Sequence, residues 1–298
     1  MPTVGTDPNL MLPVLLVVAA AVIHATWNLM AKRAAEAGAA FVVAYNAIIC
    51  VIYAPAAWLL SAGEDIAWTV PVIICFTLNT LINLAYALCL QHGYRVADLS
   101  VVYPVARGTG PMFATLGAIM LLGEVPSALG LLGLAGVIAG IVLISTQGRL
   151  SAFLKSRGMT GLGWGLATGI LIAGYSVVDA WGVKTLGIPP VLLVWLSNVL
   201  RFPVLLPVIL RDRRRFLATM RGHWGLALGV ALLAPLSYFL VLSALGMGAP
   251  LSVVAPLREM SMMVAVVFGL VVLRERVGPW HFAGCTVLSI GVACLVSA

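Results

Sequence analysis

The sequence predicts an all-α integral membrane protein with ten transmembrane helices, arranged as two inverted-topology five-helix repeats around a central cavity. Three observations predict it. Of 298 residues, 62% are hydrophobic and 9% charged, against about 25% charged in an ordinary globular domain, so the chain cannot cover a water-facing surface. Gly, Pro and charged residues cut it into ten apolar runs, each long enough to cross a hydrocarbon core of about 30 Å, which takes about 20 helical residues. The second half repeats the first at a shift of 152 residues.

The ten runs lie near 11–31, 39–61, 70–90, 97–122, 128–146, 161–182, 190–210, 224–245, 250–272 and 279–297, and are called spans 1 to 10. Helices are the economical solution, because lipid offers no partner for open backbone groups. The runs do not alternate as the strands of a membrane barrel do. The first residues, MPTVGTDPNL, carry no Lys or Arg, so span 1 reads as a retained span and not as a cleaved signal.

The repeat is visible residue by residue. At the 152-residue shift Lys32 meets Lys184, Tyr86 meets Tyr238, Ser100 meets Ser252 and Pro104 meets Pro256. ADLSVVYP (97–104) and APLSVVAP (249–256) agree at six of eight positions. After one deletion Glu124 meets Glu275, Gly133 meets Gly284 and Gly140 meets Gly291. The two units are expected over 1–152 and 153–298. Five spans per unit is an odd number, so the second unit enters the membrane from the opposite side, a plan common among secondary transporters.

Orientation follows the basic residues of the loops. The odd loops, those after spans 1, 3, 5, 7 and 9, hold thirteen Lys and Arg residues, among them Arg33, Arg95 and the run RDRRR (211–215); the opposite side holds only Lys184. The count puts the odd loops in the cytoplasm and both termini outside. RDRRR reads as an anchor facing anionic lipid, and Lys32 and Lys184 as snorkelling anchors or cavity residues.

HATWNLMAKRA (24–34), LSVVYPVARG (99–108), LLGE (121–124) before a Gly-rich span 5, and LSVVAPLREM with LRE (251–260, 273–275) occur in that order. With them the chain resembles the EamA-like branch of the drug/metabolite transporter superfamily over essentially its whole length. The resemblance implies a basket of ten helices around a central cavity, moving a small metabolite across a bacterial inner membrane; many members export amino acids or related compounds. It also implies cytoplasmic termini, opposite to the charge count.

Five charges fall inside spans: Arg107, Asp179, Arg201, Arg258 and Glu259. Each costs about 2.5–3.5 kcal/mol at the membrane centre on insertion scales, so they must pair or face a wet cavity. Arg107 and Glu259 are equivalent positions of the repeat; a two-fold axis in the membrane plane brings them together, as a functional pair or a structural lock. Pro104 and Pro256 each remove an amide donor, and Gly108, Gly110 and Pro111 weaken span 4 further. Either kinks or substrate-contacting breaks are expected there.

The remaining candidates share helix faces. His24, Trp27 and Asn28 lie on span 1, with His24 a proton carrier or a hydrogen-bonded helix contact. Asn79, Asn83 and Tyr86 lie on span 3, Tyr103 with Arg107 on span 4, Tyr175 and Asp179 on span 6, and Tyr238 on span 8. Trp195, Asn198 and Arg201 form a stripe on span 7, in which Arg201 either grips a substrate carboxylate or pairs with Asp179. Substrate contact is assigned to these residues together with Arg258 and Glu259, and proton coupling to Glu259, Asp179 and His24. The cavity is expected where spans 1, 3, 4, 6, 8 and 9 converge.

Other classes lose ground. The chain has no P-loop motif, no zinc-ligand spacing and no nucleophile elbow. Its five cysteines sit in apolar runs and read as small hydrophobes. The basic residues form no nucleic-acid-binding stripe. No cofactor, metal, nucleic acid or ATPase partner is implied; the partners are a small-molecule substrate, protons if transport is coupled, and the bilayer. A membrane-embedded enzyme acting on a lipid or lipid-linked substrate is the rival class, but the acids are too scattered for it.

Overall fold

The computed structural model describes residues 8–61, 67–96, 99–146, 156–271 and 278–298. Among them, ten helices are long and apolar enough to cross a membrane. Eight spans are single helices: Pro8–Arg33, Gly38–Ser61, Val70–Val96, Leu99–Leu122, Ala128–Thr146 and Ser156–Lys184 for spans 1 to 6, Trp224–Gly246 for span 8 and Pro279–Val296 for span 10. Span 7 runs Pro190–Leu205 and continues as Pro207–Arg211 after a turn; a short surface helix, Arg213–Thr219, follows. Span 9 is Leu251–Leu257, a 3₁₀ turn at Arg258–Met260, then Ser261–Val271. Large apolar residues such as Met11, Trp58, Leu81, Met120, Leu132 and Phe282 stand exposed on the outside, as lipid-facing surfaces require. The chain is a multi-pass membrane protein.

The two repeats interlace. Span 1 packs on spans 8 and 9, and span 6 packs on spans 3 and 4. These contacts exchange with one another when each span is replaced by its equivalent five spans away. Three further contacts, span 2 on 7, span 4 on 9 and span 5 on 10, map onto themselves, so they straddle the two-fold axis. Asn46 donates its side-chain amide to the Asn198 side-chain oxygen at 2.9 Å, across a separation of 152 residues. Arg107 meets Glu259 at the same separation. Gly133 faces the backbone of Gly291, and Gly140 that of Gly284, a reciprocal pair. A methyl group added at Gly140 would lie 2.6 Å from the Leu288 Cβ; only glycine lets the backbones of spans 5 and 10 approach so closely. The result is two bundles, spans 1, 8 and 9 against spans 3, 4 and 6, each drawn from both repeats.

The two proline-containing spans differ. Span 9 breaks after Pro256, whereas span 4 stays helical through Pro104, Gly108, Gly110 and Pro111. Span 4 lies along span 6, with Gly110 against Ile172, Gly117 against Val177 and Gly165 against Val105. That long close contact supports a helix the sequence would loosen. In span 9 the 3₁₀ turn spaces residues about 120° apart instead of about 100°. Arg258 thereby turns to Tyr175 on span 6, and Glu259 to Arg107 on span 4.

Candidate functional site

The centre of the site is the Arg107–Glu259 pair, with Arg107 Nη2 2.8 Å from Glu259 Oε2. The same Nη2 donates to the Ser261 hydroxyl at 3.3 Å. Glu259 is 1% exposed and Arg107 13%. Removing one partner of such a pair strands the other charge, at about 3–5 kcal/mol.

Beside it, Arg258 is buried and stands over the Tyr175 ring, its guanidinium carbon 5.9 Å from the centroid, with Nη2 donating to the Tyr175 hydroxyl at 3.4 Å. Arg258 Nε is buried without a hydrogen-bond acceptor among the described residues. Asp179 is fully buried, and its two oxygens accept from the Asn79 amide and the Tyr238 hydroxyl. Tyr86 and Tyr238, equivalents in the repeat, flank the Tyr175 ring at 5.8 and 6.5 Å.

Asp179 and Arg258 line one narrow pocket with a free volume of about 10 Å³, room for roughly one water. Its other walls include Leu242, Leu245, Leu251 and Val254. The equivalents of Asp179 and Arg258 in the first repeat are Trp27 and Ala106, so this charge pattern exists once. A carboxylate acceptor, a guanidinium and an apolar wall are the groups that would hold a small zwitterion with an apolar body once the pocket widens.

The other candidates divide. His24 is half-buried, edge-on to Trp27 at 4.9 Å, and its carbonyl accepts from the Asn28 side chain at 2.8 Å. Trp27 packs among Phe41, Phe216 and Met220, towards the odd-loop face. Asn83 donates to the Asn79 carbonyl at 2.9 Å. The span 7 stripe turns to span 2: Trp195 Nε1 donates to the Cys50 carbonyl at 2.9 Å and Asn198 bonds Asn46. The Arg201–Asp179 ion pair is not formed; the Asp179 oxygens accept from the Asn79 amide and the Tyr238 hydroxyl. The side chains of Lys32 and Tyr103 lie outside the described residues. Among the described residues no group of three or more His, Cys, Asp or Glu gathers to hold a metal.

One cluster goes beyond the sequence reading. Lys184 is no free anchor: its ammonium lies 3.0 Å from Glu124 Oε1 and donates to the Ala249 carbonyl at 3.1 Å. Glu124 also accepts from the Leu251 amide at 2.7 Å, the Ser252 amide at 3.0 Å and the Ser252 hydroxyl at 2.8 Å. Gly123 (φ 69°) and Gly248 (φ 94°) hold left-handed turns that aim the two loops at each other, a conformation glycine adopts without penalty. Burial pushes the Glu124 carboxyl up, but the Ser252 and Leu251 amides, the Ser252 hydroxyl and the Lys184 ammonium outweigh it and hold its pKa below the ordinary value. The signal in the sequence was the Glu124–Glu275 equivalence; its partner could not be read from spacing, since 127 residues separate it from Leu251.

No curated protein sequence matches the chain. A crystal structure of a protein 15% identical superposes with a TM-score of 0.73, covering 95% of this chain and 95% of that one; at this identity the likeness is one of fold. The model of the EamA-like transporter family matches residues 11–146 and again 159–297. Its two matched segments, the ten spans and the doubled architecture agree: the chain belongs to the EamA-like transporter family, whose members are transporters of the drug/metabolite type.

Proposed function

We propose that the protein is a secondary transporter that moves a small metabolite across a bacterial inner membrane by alternating access. An amino acid or a related carboxylate or phosphonate is its substrate. The observation that carries this reading is a pocket lined by both Asp179 and Arg258, with Arg258 adjoining Glu259 of the Arg107–Glu259 pair. Arg258 offers a guanidinium that no carboxylate of the described residues neutralises within ion-pair distance. Asp179 accepts from neutral donors only, so an ammonium or a proton can take their place. In this reading Arg258 and Tyr175 hold the substrate's acid group, and Asp179, with Asn79 and Tyr238, holds its amine or the coupling proton. Glu259 and His24 are further proton carriers.

Alternating access then means that the bundle of spans 1, 8 and 9 rocks against that of spans 3, 4 and 6, about the axis contacts of spans 2, 7, 5 and 10. The positive-inside count supports odd loops in the cytoplasm and both termini outside. The unit boundaries proposed from the repeat, 1–152 and 153–298, stand beside this reading.

The test is uptake and counterflow in proteoliposomes with labelled amino acids and phosphonates, preceded by a thermal-shift screen, since a ligand at 100 times its Kd stabilises by about 2.7 kcal/mol. The expected result is stabilisation by a zwitterion at millimolar concentration, uptake of that compound, and loss of uptake in Arg258→Met. Absence of both binding and uptake across the screen, or turnover of a lipid-linked substrate in its place, would overturn the reading.

A further inference from the structure

We infer that Glu124, Lys184 and the backbone of Leu251 and Ser252 form a latch that holds the even-loop face shut over the pocket, and that parting it is the step that opens the pocket to that side. The inference rests on the alternating-access reading above.

Position is the first argument. Glu124 follows span 4 and Lys184 ends span 6, both in one bundle; Ala249, Leu251 and Ser252 lead into span 9, in the other. The latch therefore ties the two bodies that must move apart. All of its members lie where spans 4, 6 and 8 end and span 9 begins, on the even-loop face. Leu251 belongs to both structures: its amide donates to Glu124, and its side chain lines the pocket. Leu245 and Val254, a few residues away on spans 8 and 9, line it too. Displacing the start of span 9 from Glu124 removes a wall of the pocket, which at about 10 Å³ has room for roughly one water as it stands.

The chemistry suits a contact that is made and broken. One carboxylate gathers two amides, a hydroxyl and an ammonium, all at 2.7–3.0 Å. Such charge-assisted bonds are short and directional, so a small separation loses them together. Lys184 keeps 24% exposure and Glu124 11%, so water can replace each partner as it leaves. With the face shut, Glu259 of the Arg107–Glu259 pair is 1% exposed and has no water at hand to replace its partner. The buried pair suits a pivot on the axis, and the edge cluster a closure.

The experiment measures distances across both faces of the intact protein in nanodiscs by double electron–electron resonance. Spin labels are carried on p-acetylphenylalanine, which leaves the native cysteines in place. Val125 and Met247, 93% and 53% exposed, report the even-loop face between the two bundles. Arg33 and Met159, at the odd ends of spans 1 and 6, report the other. In Glu124→Gln the Val125–Met247 distance should gain a longer component, with the open-to-closed ratio raised on the order of tenfold, while Arg33–Met159 shortens. Lys184→Met, which keeps the carboxylate on the two amides, should give the same change at smaller amplitude; it carries the test if Glu124→Gln is not recovered folded. A longer even-face distance with an unchanged odd face upholds the latch and overturns the rocking of whole bundles. An unchanged even-face distance in both variants, or equal broadening at both faces, overturns the latch and leaves the transport reading to its own assay.

Discussion

Arg107 and Glu259 occupy the same position in the two repeats, 152 residues apart, and their side chains are in contact at 2.8 Å. Equivalent residues can touch only next to the symmetry axis. With five spans per repeat the axis lies in the membrane plane, so the pair sits at mid-depth, where an unpaired charge is most expensive.

Exchanging the two charges should restore the fold without restoring activity. Arg107→Ala or Glu259→Ala strands a charge and should cost about 3–5 kcal/mol of stability. Arg107→Glu combined with Glu259→Arg turns the same pair by half a revolution about the axis and should recover most of that loss in thermal unfolding. Transport should stay absent, because Arg258 has Ala106 as its equivalent and is not exchanged. Uptake by the double variant at the parental rate would show the pair to be purely structural.

Asp179 should be dispensable for folding and required for transport. Asp179→Asn keeps an acceptor for Tyr238 or Asn79 and removes the charge, so the unfolding midpoint should change little. Uptake of a zwitterion should fall by at least about tenfold, the loss of one charge-assisted bond. Tyr238→Phe should weaken uptake less. Unchanged transport in Asp179→Asn would remove this residue from the substrate or proton path.

Spans 5 and 10 should tolerate no side chain at their crossing. Gly140→Leu places its Cβ 2.6 Å from the Leu288 Cβ and 2.8 Å from the Gly284 carbonyl. Overpacking of this kind costs about 1–3 kcal/mol or more, and should lower the yield of monodisperse protein. Gly163→Leu, where a Cβ meets nothing, is the control and should behave like the parent. Equal yields for both would mean that the helices separate freely.

Acid should loosen the even-loop face. The pKa of Glu124 is lowered in the folded protein, so its contribution to stability is complete above the ordinary carboxylate pKa and fades as pH falls through the lowered value. Thermal midpoints of the parent should drop more steeply between about pH 5 and pH 3 than those of Glu124→Gln, which has no such carboxylate to protonate. Parallel curves would mean that the carboxylate contributes nothing to the closed state.

Span number, the doubling and its inversion were legible in the residues, because each depends on local hydropathy or a fixed shift; the limits were legible to within a few residues, the span near 128–146 being a helix over Ala128–Thr146 but that near 161–182 one over Ser156–Lys184. So was the meeting of Arg107 and Glu259, since symmetry alone puts axis-equivalent residues together. Partners not related by the axis were hidden. Asp179 with Asn79 and Tyr238, and Glu124 with Lys184, Leu251 and Ser252, depend on how the repeats interlace, which hydropathy does not encode because every lipid-compatible face reads alike. The same holds for the two prolines: Pro104 and Pro256 are equal in sequence. Only packing distinguishes them, since span 4 is held straight along span 6 while span 9 turns to deliver Arg258 and Glu259 to different neighbours.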